Sequence, residues 1–323
     1  MMRKLVCVYD LEPQHRERIA EAATGLEIVY ADGDQDESAL ASHLAEAEVV
    51  VGWSEQAEEY ALKSDGAGAL RWVQAWGAGV EQMPFDAFAA AGVMLTNASG
   101  VHANAISETV LGMMLAFTRK LHLTMRNQLE KKWDWIGGLG EIHGKTLGIV
   151  GVGAIGEELA RLAGAFQMRV LGVRNSAQPS PFVDAMFGAG GLDRLLQESD
   201  YVVVTLPITK ETQGLFDRAK FAQMKPGAFF VNIGRGQTVI TDDLVDALER
   251  GVIAGAGLDV FDPEPLPESH PLWTMENVIL TPHNSGNSIY YTDRAVDILV
   301  DNLRSYIENG EPHRNRVSLE ARY

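Results

Sequence analysis

The sequence predicts a doubly wound, parallel-sheet α/β protein in two domains, and three observations carry that reading. Short apolar runs alternate with helical patterns from the first residues onward, as parallel strands joined by right-handed crossovers require. The alternation lapses over 127–145 and restarts at Thr146. A glycine-rich turn, GVGAIG (151–156), stands between the apolar run TLGIV (146–150) and the helical run EELARLA (157–163). At 323 residues the chain is too long for one small core, which also favours two domains.

In chain order, strands are expected over 4–9, 26–30, 47–51, 71–75 and 92–95, with helices near 13–23, 37–45, 57–64 and 84–91. A longer helical pattern, 104–123, follows SGVHAN (99–104). The next stretch, NQLEKKWDWIGGLGEIHGK (127–145), has no clean period and two tryptophans. Irregular segments of that length in compact proteins usually have a function or are disordered. Exposed Trp133 and Trp135 would favour an interface, because Trp is enriched at binding hot spots. From Thr146 onward strands are expected over 146–150, 168–173, 201–206, 228–233, 253–258 and 278–281. Helix 241–250 opens at TDD (241–243), read as an N-cap with acids in the first turn. It stops at Arg250-Gly251 by the glycine rule. The tail 287–309 reads as one more amphipathic helix. With no repeat, low-complexity tract or compositional linker, the division into domains rests on the restart of the pattern.

Composition narrows the function classes. A formal charge of −17 argues against nucleic acid or an anionic membrane as partner, since both call for clustered Lys and Arg. The acidity reads as solubility or salt tolerance. The single cysteine, Cys7, makes no internal disulfide, fits a reducing compartment, and inside LVCV (5–8) reads as a buried small hydrophobe. The N-terminal apolar run is short for a signal peptide, and no window approaches the ~18 apolar residues of a membrane span. A soluble cytoplasmic protein is the expectation. No Cys/His cluster has metal-ligand spacing, so no metal is expected.

A G-x-G-x-x-G alone is a weak signal, but a strand before it and a helix after it strengthen it. In a dinucleotide fold Gly151 permits the tight turn, Gly153 admits the pyrophosphate, and Gly156 lets the helix approach the strand. The anion then lies at the helix N-terminus beside free N–H groups. An NAD site needs an acid about 20 residues further on, to accept from the ribose hydroxyls. That strand ends RVLGVRNSAQ (169–178), and Arg174, followed by Asn175 and Ser176, occupies the position. An arginine fork matches a 2′-phosphate instead. NADP(H) is therefore the preferred cofactor and NAD(H) the alternative.

Three further stretches fall at expected strand ends, where open α/β sheets collect ligands: NIGRGQ (232–237), LDVFDPEPLP (258–267) and TPHNSG (281–286). Arg235 can clamp a carboxylate bidentately and polarise a neighbouring carbonyl. His283 can exchange the proton that accompanies hydride transfer. Glu264 beside it would raise the histidine pKa and orient the ring. With a nicotinamide, this set suits interconversion of a 2-keto acid and a 2-hydroxy acid.

With GVGAIG, NIGRG, LDVF–DPEP, PLW (271–273) and TPHNSG in this order and spacing, the sequence resembles the D-2-hydroxyacid dehydrogenase family over nearly its whole length. The resemblance implies two Rossmann-like domains, the cofactor domain inserted into the substrate domain. A flavodoxin-like substrate domain would comprise 1–99 and 284–323, with the NAD(P)-binding domain at 100–283. It also implies that Arg235 binds the substrate carboxylate and carbonyl, that Glu264 pairs with His283, and that His283 is the acid/base. Ala154 and Ile155 would touch the pyrophosphate and Asp259 the nicotinamide amide, while Leu206, Pro207, Ile233, Gly234 and Gly286 line the cofactor. WGAGVEQM (76–83) resembles the family's substrate loop, where the amides of Ala78 and Gly79 would hold the carboxylate. Segment 127–142 would be the arm of a homodimer. The expected substrates are small 2-keto acids such as glyoxylate, hydroxypyruvate or pyruvate analogues.

Two residues depart from the family pattern. Glu81 stands where Asp is more usual, and Arg174 replaces the NAD-reading acid. The alternatives are a phosphoglycerate dehydrogenase-like enzyme, for which the first domain shows no cation cluster, and a nucleotide-sensing regulator of the corepressor type. A formate dehydrogenase would carry Gln in place of Glu264. His15, His43, His122, His143, His270 and His313 have no motif support and are expected at the surface. His102, Trp53 and Ser54 stay open between lining the pocket and packing.

Overall fold

The computed structural model describes residues 3–31, 37–62 and 68–322. The chain divides into two compact units, Met1–Val101 with Ile289–Tyr323, and His102–Ser288. The first unit alternates β1 (Arg3–Cys7), α1 (Pro13–Ala22), β2 (Leu26–Tyr30), α2 (Glu37–Ala45), β3 (Val49–Val51), α3 (Glu55–Ala61), β4 (Trp72–Gln74), α4 (Phe85–Ala91) and β5 (Met94–Thr96). The second begins with α5 (Ala103–Thr118) and α6 (Leu121–Leu129), then β6 (Thr146–Val150), α7 (Ala154–Ala165), β7 (Arg169–Val173) and β8 (Ala185–Phe187). It continues through α8 (Leu192–Glu198), β9 (Tyr201–Val204), α9 (Arg218–Gln223), β10 (Phe229–Asn232), α10 (Thr241–Glu249), β11 (Gly255–Leu258) and β12 (Val278–Leu280). Helix α11 (Tyr291–Asn309) belongs to the first unit.

Both sheets are parallel among the described residues. The first runs β2-β1-β3-β4-β5, the flavodoxin-like order, and the second β12-β11-β10-β9-β6-β7-β8. In each the strand order reverses beside the first strand, between β1 and β3 and between β6 and β9. Such switch points leave a crevice at the carboxyl ends of the strands. Parallel central strands are covered on both faces and therefore read as continuous apolar runs. VVV, YVVV and FFVN in β3, β9 and β10 are buried throughout. One face of the larger sheet packs Leu195, Phe216, Phe221 and Phe230, and the other packs Met114, Leu147, Leu159 and Phe229.

The structure departs from the expected elements where local geometry overrides periodicity. The expected 104–123 helix is interrupted at Arg119 and Lys120, the latter at φ +54°; apolar residues keep helical spacing across the break between α5 and α6 and so hide it in the pattern. Strand β8 was not foreseen: three half-buried edge residues are too few to show a period. Helix α10 has Ile240, not Thr241, at its N-cap, and no side chain caps it; Asp242 and Asp243 do lie in its first turn and Gly251 at φ +66° follows its end. The tail becomes helical at Tyr291, not 287, since Asn287 closes a turn onto Asn284. Residues 63 and 64 of the expected helix 57–64 lie outside the described residues.

Cys7 is fully buried, and burial pushes its thiol up to about 11, so it is a packing residue and not a thiolate nucleophile. His15, expected at the surface, is 4% exposed: α1 packs on α11 and its Nε2 lies 2.8 Å from Asp293. Trp53 stacks edge-on against Phe88, and Ser54 accepts from the Ala57 amide to cap α3, so both have packing roles. Trp133 and Trp135 are exposed. No helix among the described residues is long and apolar enough to cross a membrane.

Candidate active site

The glycine turn sits at the switch point of the larger sheet. Gly151 has φ +106°, and a Cβ there would stand 2.8 Å from Thr205 Oγ1 and 3.2 Å from the Leu206 amide. Only glycine fits between the ends of β6 and β9. A Cβ on Gly156 would lie 3.0 Å from the Gly151 carbonyl, so its absence lets α7 close on the turn. Gly153 is the N-cap of α7, with no side-chain cap and open space where its Cβ would be. The first N–H groups of a helix have no intrahelical partner, so those of Ala154, Ile155 and Gly156 face an uncapped, positively polarised end. These features fit the pyrophosphate of a dinucleotide. Thr205, which sequence reasoning missed, donates its hydroxyl to the Gly151 carbonyl and fixes the turn.

Leu206 is half-buried and Pro207 exposed after β9; Ile233 and Gly234 are buried after β10. A Cβ on Gly234 would come 2.5 Å from the Leu206 carbonyl, so these two loops touch. Gly286 lies under the His102 ring, whose Nδ1 is 2.9 Å from the Gly286 carbonyl; His102 thus packs on the turn after β12.

The expected contact between His283 and Glu264 is formed. His283 Nδ1 lies 2.8 Å from Glu264 Oε2, and the other oxygen, Oε1, accepts from the Phe261 amide at 2.9 Å. Both side chains reach solvent. His283 has φ +49°, a strained conformation for a non-glycine residue. The turn that imposes it wraps Asp259. The carboxylate of Asp259 accepts from Thr281 Oγ1 (2.6 Å), the Asn284 amide (3.0 Å), and the amide and hydroxyl of Ser285, while the His283 amide donates to the Asp259 carbonyl at 2.8 Å. Asp259, the residue expected against the nicotinamide amide, is 1% exposed and holds this turn. Thr281 and Ser285 carried no sequence signal for that task.

Arg235 follows β10 and opens a 3-10 turn, Gly236–Thr238. A Cβ on Gly236 would fall 1.8 Å from the Phe261 carbonyl, so the arginine turn presses on the loop that carries Glu264. The structure thus gathers Arg235, Glu264 and His283 on adjoining loops at the carboxyl ends of β10, β11 and β12.

In the other unit, loop 76–83 follows β4. Its carbonyls are engaged: Trp76 accepts from the Tyr291 hydroxyl at 2.6 Å, Gly77 from the Ala98 amide at 3.0 Å, and Ala78 from Asn97 at 2.8 Å. The amides of Ala78 and Gly79 take no partner among the described residues. Successive amides of that kind make an anion-binding concavity.

Arg174 does not stand free at the end of β7. Its NH1 lies 3.4 Å from the Val152 carbonyl and 3.3 Å from Glu157, and its NH2 donates to the Gln178 and Pro179 carbonyls. It staples loop 174–180 to the glycine turn, leaving Asn175 and Ser176 exposed beside it. No group of His, Cys, Asp and Glu among the described residues is placed to hold a metal ion.

Residues 111–285 match the model of the D-isomer specific 2-hydroxyacid dehydrogenase, NAD binding domain. The glyoxylate/hydroxypyruvate reductase B of Escherichia coli is 36% identical over 289 residues, 84% of this chain and 87% of that one. Among solved structures, a D-isomer specific 2-hydroxyacid dehydrogenase family protein from Aeromonas salmonicida shares 33% identity with a TM-score of 0.80, covering 99% of this chain and 100% of that one. A D-isomer specific 2-hydroxyacid dehydrogenase from Xanthobacter autotrophicus, in complex with NADPH and MES, shares 28% identity with a TM-score of 0.79 over 100% of both chains. The chain belongs to the D-isomer specific 2-hydroxyacid dehydrogenase family. It is an NAD(P)-dependent oxidoreductase of small 2-hydroxy and 2-keto acids.

Proposed function

We propose that this enzyme reduces glyoxylate, hydroxypyruvate or a similarly small 2-keto acid to the corresponding 2-hydroxy acid, of D configuration where C2 is a stereocentre, with NADPH as the preferred coenzyme. The observation that carries the reading is the His283–Glu264 pair at 2.8 Å, set on a loop adjoining that of Arg235. The name of the Escherichia coli relative supports the substrate class, and the NADPH complex of the Xanthobacter structure supports the coenzyme.

When bound, the nicotinamide supplies the hydride to the carbonyl carbon. Gly151, Gly153 and Gly156 admit the pyrophosphate, and the first amides of α7, at Ala154 and Ile155, hold it. Leu206, Pro207, Ile233, Gly234 and Gly286 line the coenzyme. The fork of Arg235 holds the substrate carboxylate and polarises its carbonyl. Glu264 accepts from His283 Nδ1–H, which leaves Nε2 to deliver the proton to the carbonyl oxygen. In the reverse direction the same nitrogen takes it back. The unit Met1–Val101 with Ile289–Tyr323 is assigned to the substrate and His102–Ser288 to the coenzyme. Trp133, Trp135 and Leu129, all exposed, suit a homodimer arm at 127–142, and the acidic charge suits a cytoplasmic enzyme.

Arg174 reads the 2′-phosphate by exchanging Glu157, a single partly exposed carboxylate at 3.3 Å, for a dianion that makes stronger charge-assisted bonds. Asn175 and Ser176 complete that site. Steady-state assays on glyoxylate and hydroxypyruvate with NADPH and NADH test the reading. Turnover of either acid is expected, with NADPH favoured. Arg174→Ala is expected to lower the preference about 10- to 100-fold, the worth of one hydrogen-bonded charge. A wild type that favours NADH, or a preference untouched by Arg174→Ala, contradicts the coenzyme assignment, and absence of turnover on any 2-keto acid contradicts the function.

A further inference from the structure

Two buried side chains bracket Arg235, and neither reaches solvent. Asn232, at the end of β10, is 1% exposed and Thr238 is fully buried. On the near side of Arg235, Asn232 Oδ1 accepts from the Gly234 amide at 3.1 Å. On the far side, Asn232 Nδ2 donates to the Arg235 carbonyl at 3.0 Å. Thr238 donates to the same carbonyl twice, from its hydroxyl at 2.7 Å and from its amide at 3.2 Å. Asn232 Nδ2 also lies 3.3 Å from Thr238 Oγ1, closing the network. A carbonyl oxygen has two lone pairs, so three donors saturate it. The peptide group after the Arg235 Cα is therefore held by three donors and the Gly234 amide, one peptide before it, by Asn232, while the Gly234 carbonyl between them accepts from the Arg235 NH1 itself at 2.9 Å.

We propose that Thr238 and Asn232 are positioning residues for Arg235: they fix its main chain so that a long, rotatable side chain delivers its fork to one place. The inference rests on the carboxylate clamp proposed above. A bidentate contact tolerates only a fraction of an ångström of error, while an arginine side chain alone offers several rotamers. The network acts upstream of those rotamers, on the direction in which the Arg235 Cα–Cβ bond leaves the turn. Because both residues are sealed from solvent, they act through Arg235 and not on the substrate.

Thr238→Val removes the hydroxyl and keeps the shape. It is expected to raise the KM for the keto acid about tenfold, the scale of one lost buried hydrogen bond, with NADPH affinity and melting temperature nearly unchanged. Thr238→Ser restores the wild-type KM, and Thr238→Ala gives the same comparison as Val without a buried β-branched methyl. The deciding experiment is a double-mutant cycle, with Arg235→Ala assayed in the presence of added guanidinium ion. In that background Thr238→Val should change nothing, because the tethered fork it positions is gone. An equal loss in both backgrounds, or a fall in NADPH affinity that tracks the rise in KM, overturns the inference. If Arg235→Ala itself leaves the keto-acid KM unaltered, it is the clamp reading that fails.

Discussion

His283→Ala is expected to lower kcat by about 10²- to 10⁴-fold, the contribution of a positioned general acid, while NADPH still binds. The side chain is half exposed and, among the described residues, pairs with Glu264, so its removal leaves no core cavity. The turn beneath it is held by Asp259 through backbone and hydroxyl donors that the substitution does not touch. Alanine at φ +49° carries some backbone strain. His283→Asn is the better partner variant, since Asn tolerates that region while lacking an imidazole. Both variants should fold, bind NADPH and fail to turn over. Kinetics in pre-steady state, with coenzyme binding followed by fluorescence, separate the two properties. Retention of more than about a tenth of wild-type kcat in both variants assigns the proton to another group.

Arg235→Ala is expected to lower kcat/KM by roughly 10²-fold or more, chiefly through KM. A bidentate arginine–carboxylate pair joins two charge-assisted hydrogen bonds, each worth about 1.5–3 kcal/mol. Its loss removes both the grip on the carboxylate and the polarisation of the adjacent carbonyl. Arg235→Lys keeps the charge but loses the planar fork, and should recover only a small part of the activity. Free guanidinium should restore part of the Arg235→Ala rate. A lysine variant that matches wild type shows that charge alone suffices and that no fork is used.

Much of this molecule was legible before any coordinates. The alternation of apolar runs with helices locates the twelve strands of the described residues except β8, because parallel strands buried on both faces leave continuous apolar runs. GVGAIG, NIGRG and TPHNSG mark strand ends, and the structure places all three at the carboxyl edge of the larger sheet. The pairing of His283 with Glu264 was expected and is present. What stayed hidden depends on contacts distant in sequence. The donors that enclose the Asp259 carboxylate come from a turn more than twenty residues further on. Arg174 is legible as the residue at the ribose-reading position, but not the carbonyls that bind its guanidinium, which come near only once loop 174–180 folds back. Thr205 and Thr238 act through hydroxyls on neighbouring carbonyls, a role that any exposed threonine of a loop could mimic in sequence. His15 is buried by α11, nearly three hundred residues away in the chain.

The most direct test of the account follows the hydride itself. Hydroxypyruvate is reduced with NADPH carrying deuterium at both C4 positions of the nicotinamide, and the product acid is analysed by mass and by chirality. The account predicts deuterium at C2 of a single D-configured 2-hydroxy acid, formed by the wild type and lost in His283→Asn. Product without deuterium, a racemic or L-configured product, or an undiminished yield from His283→Asn would contradict it.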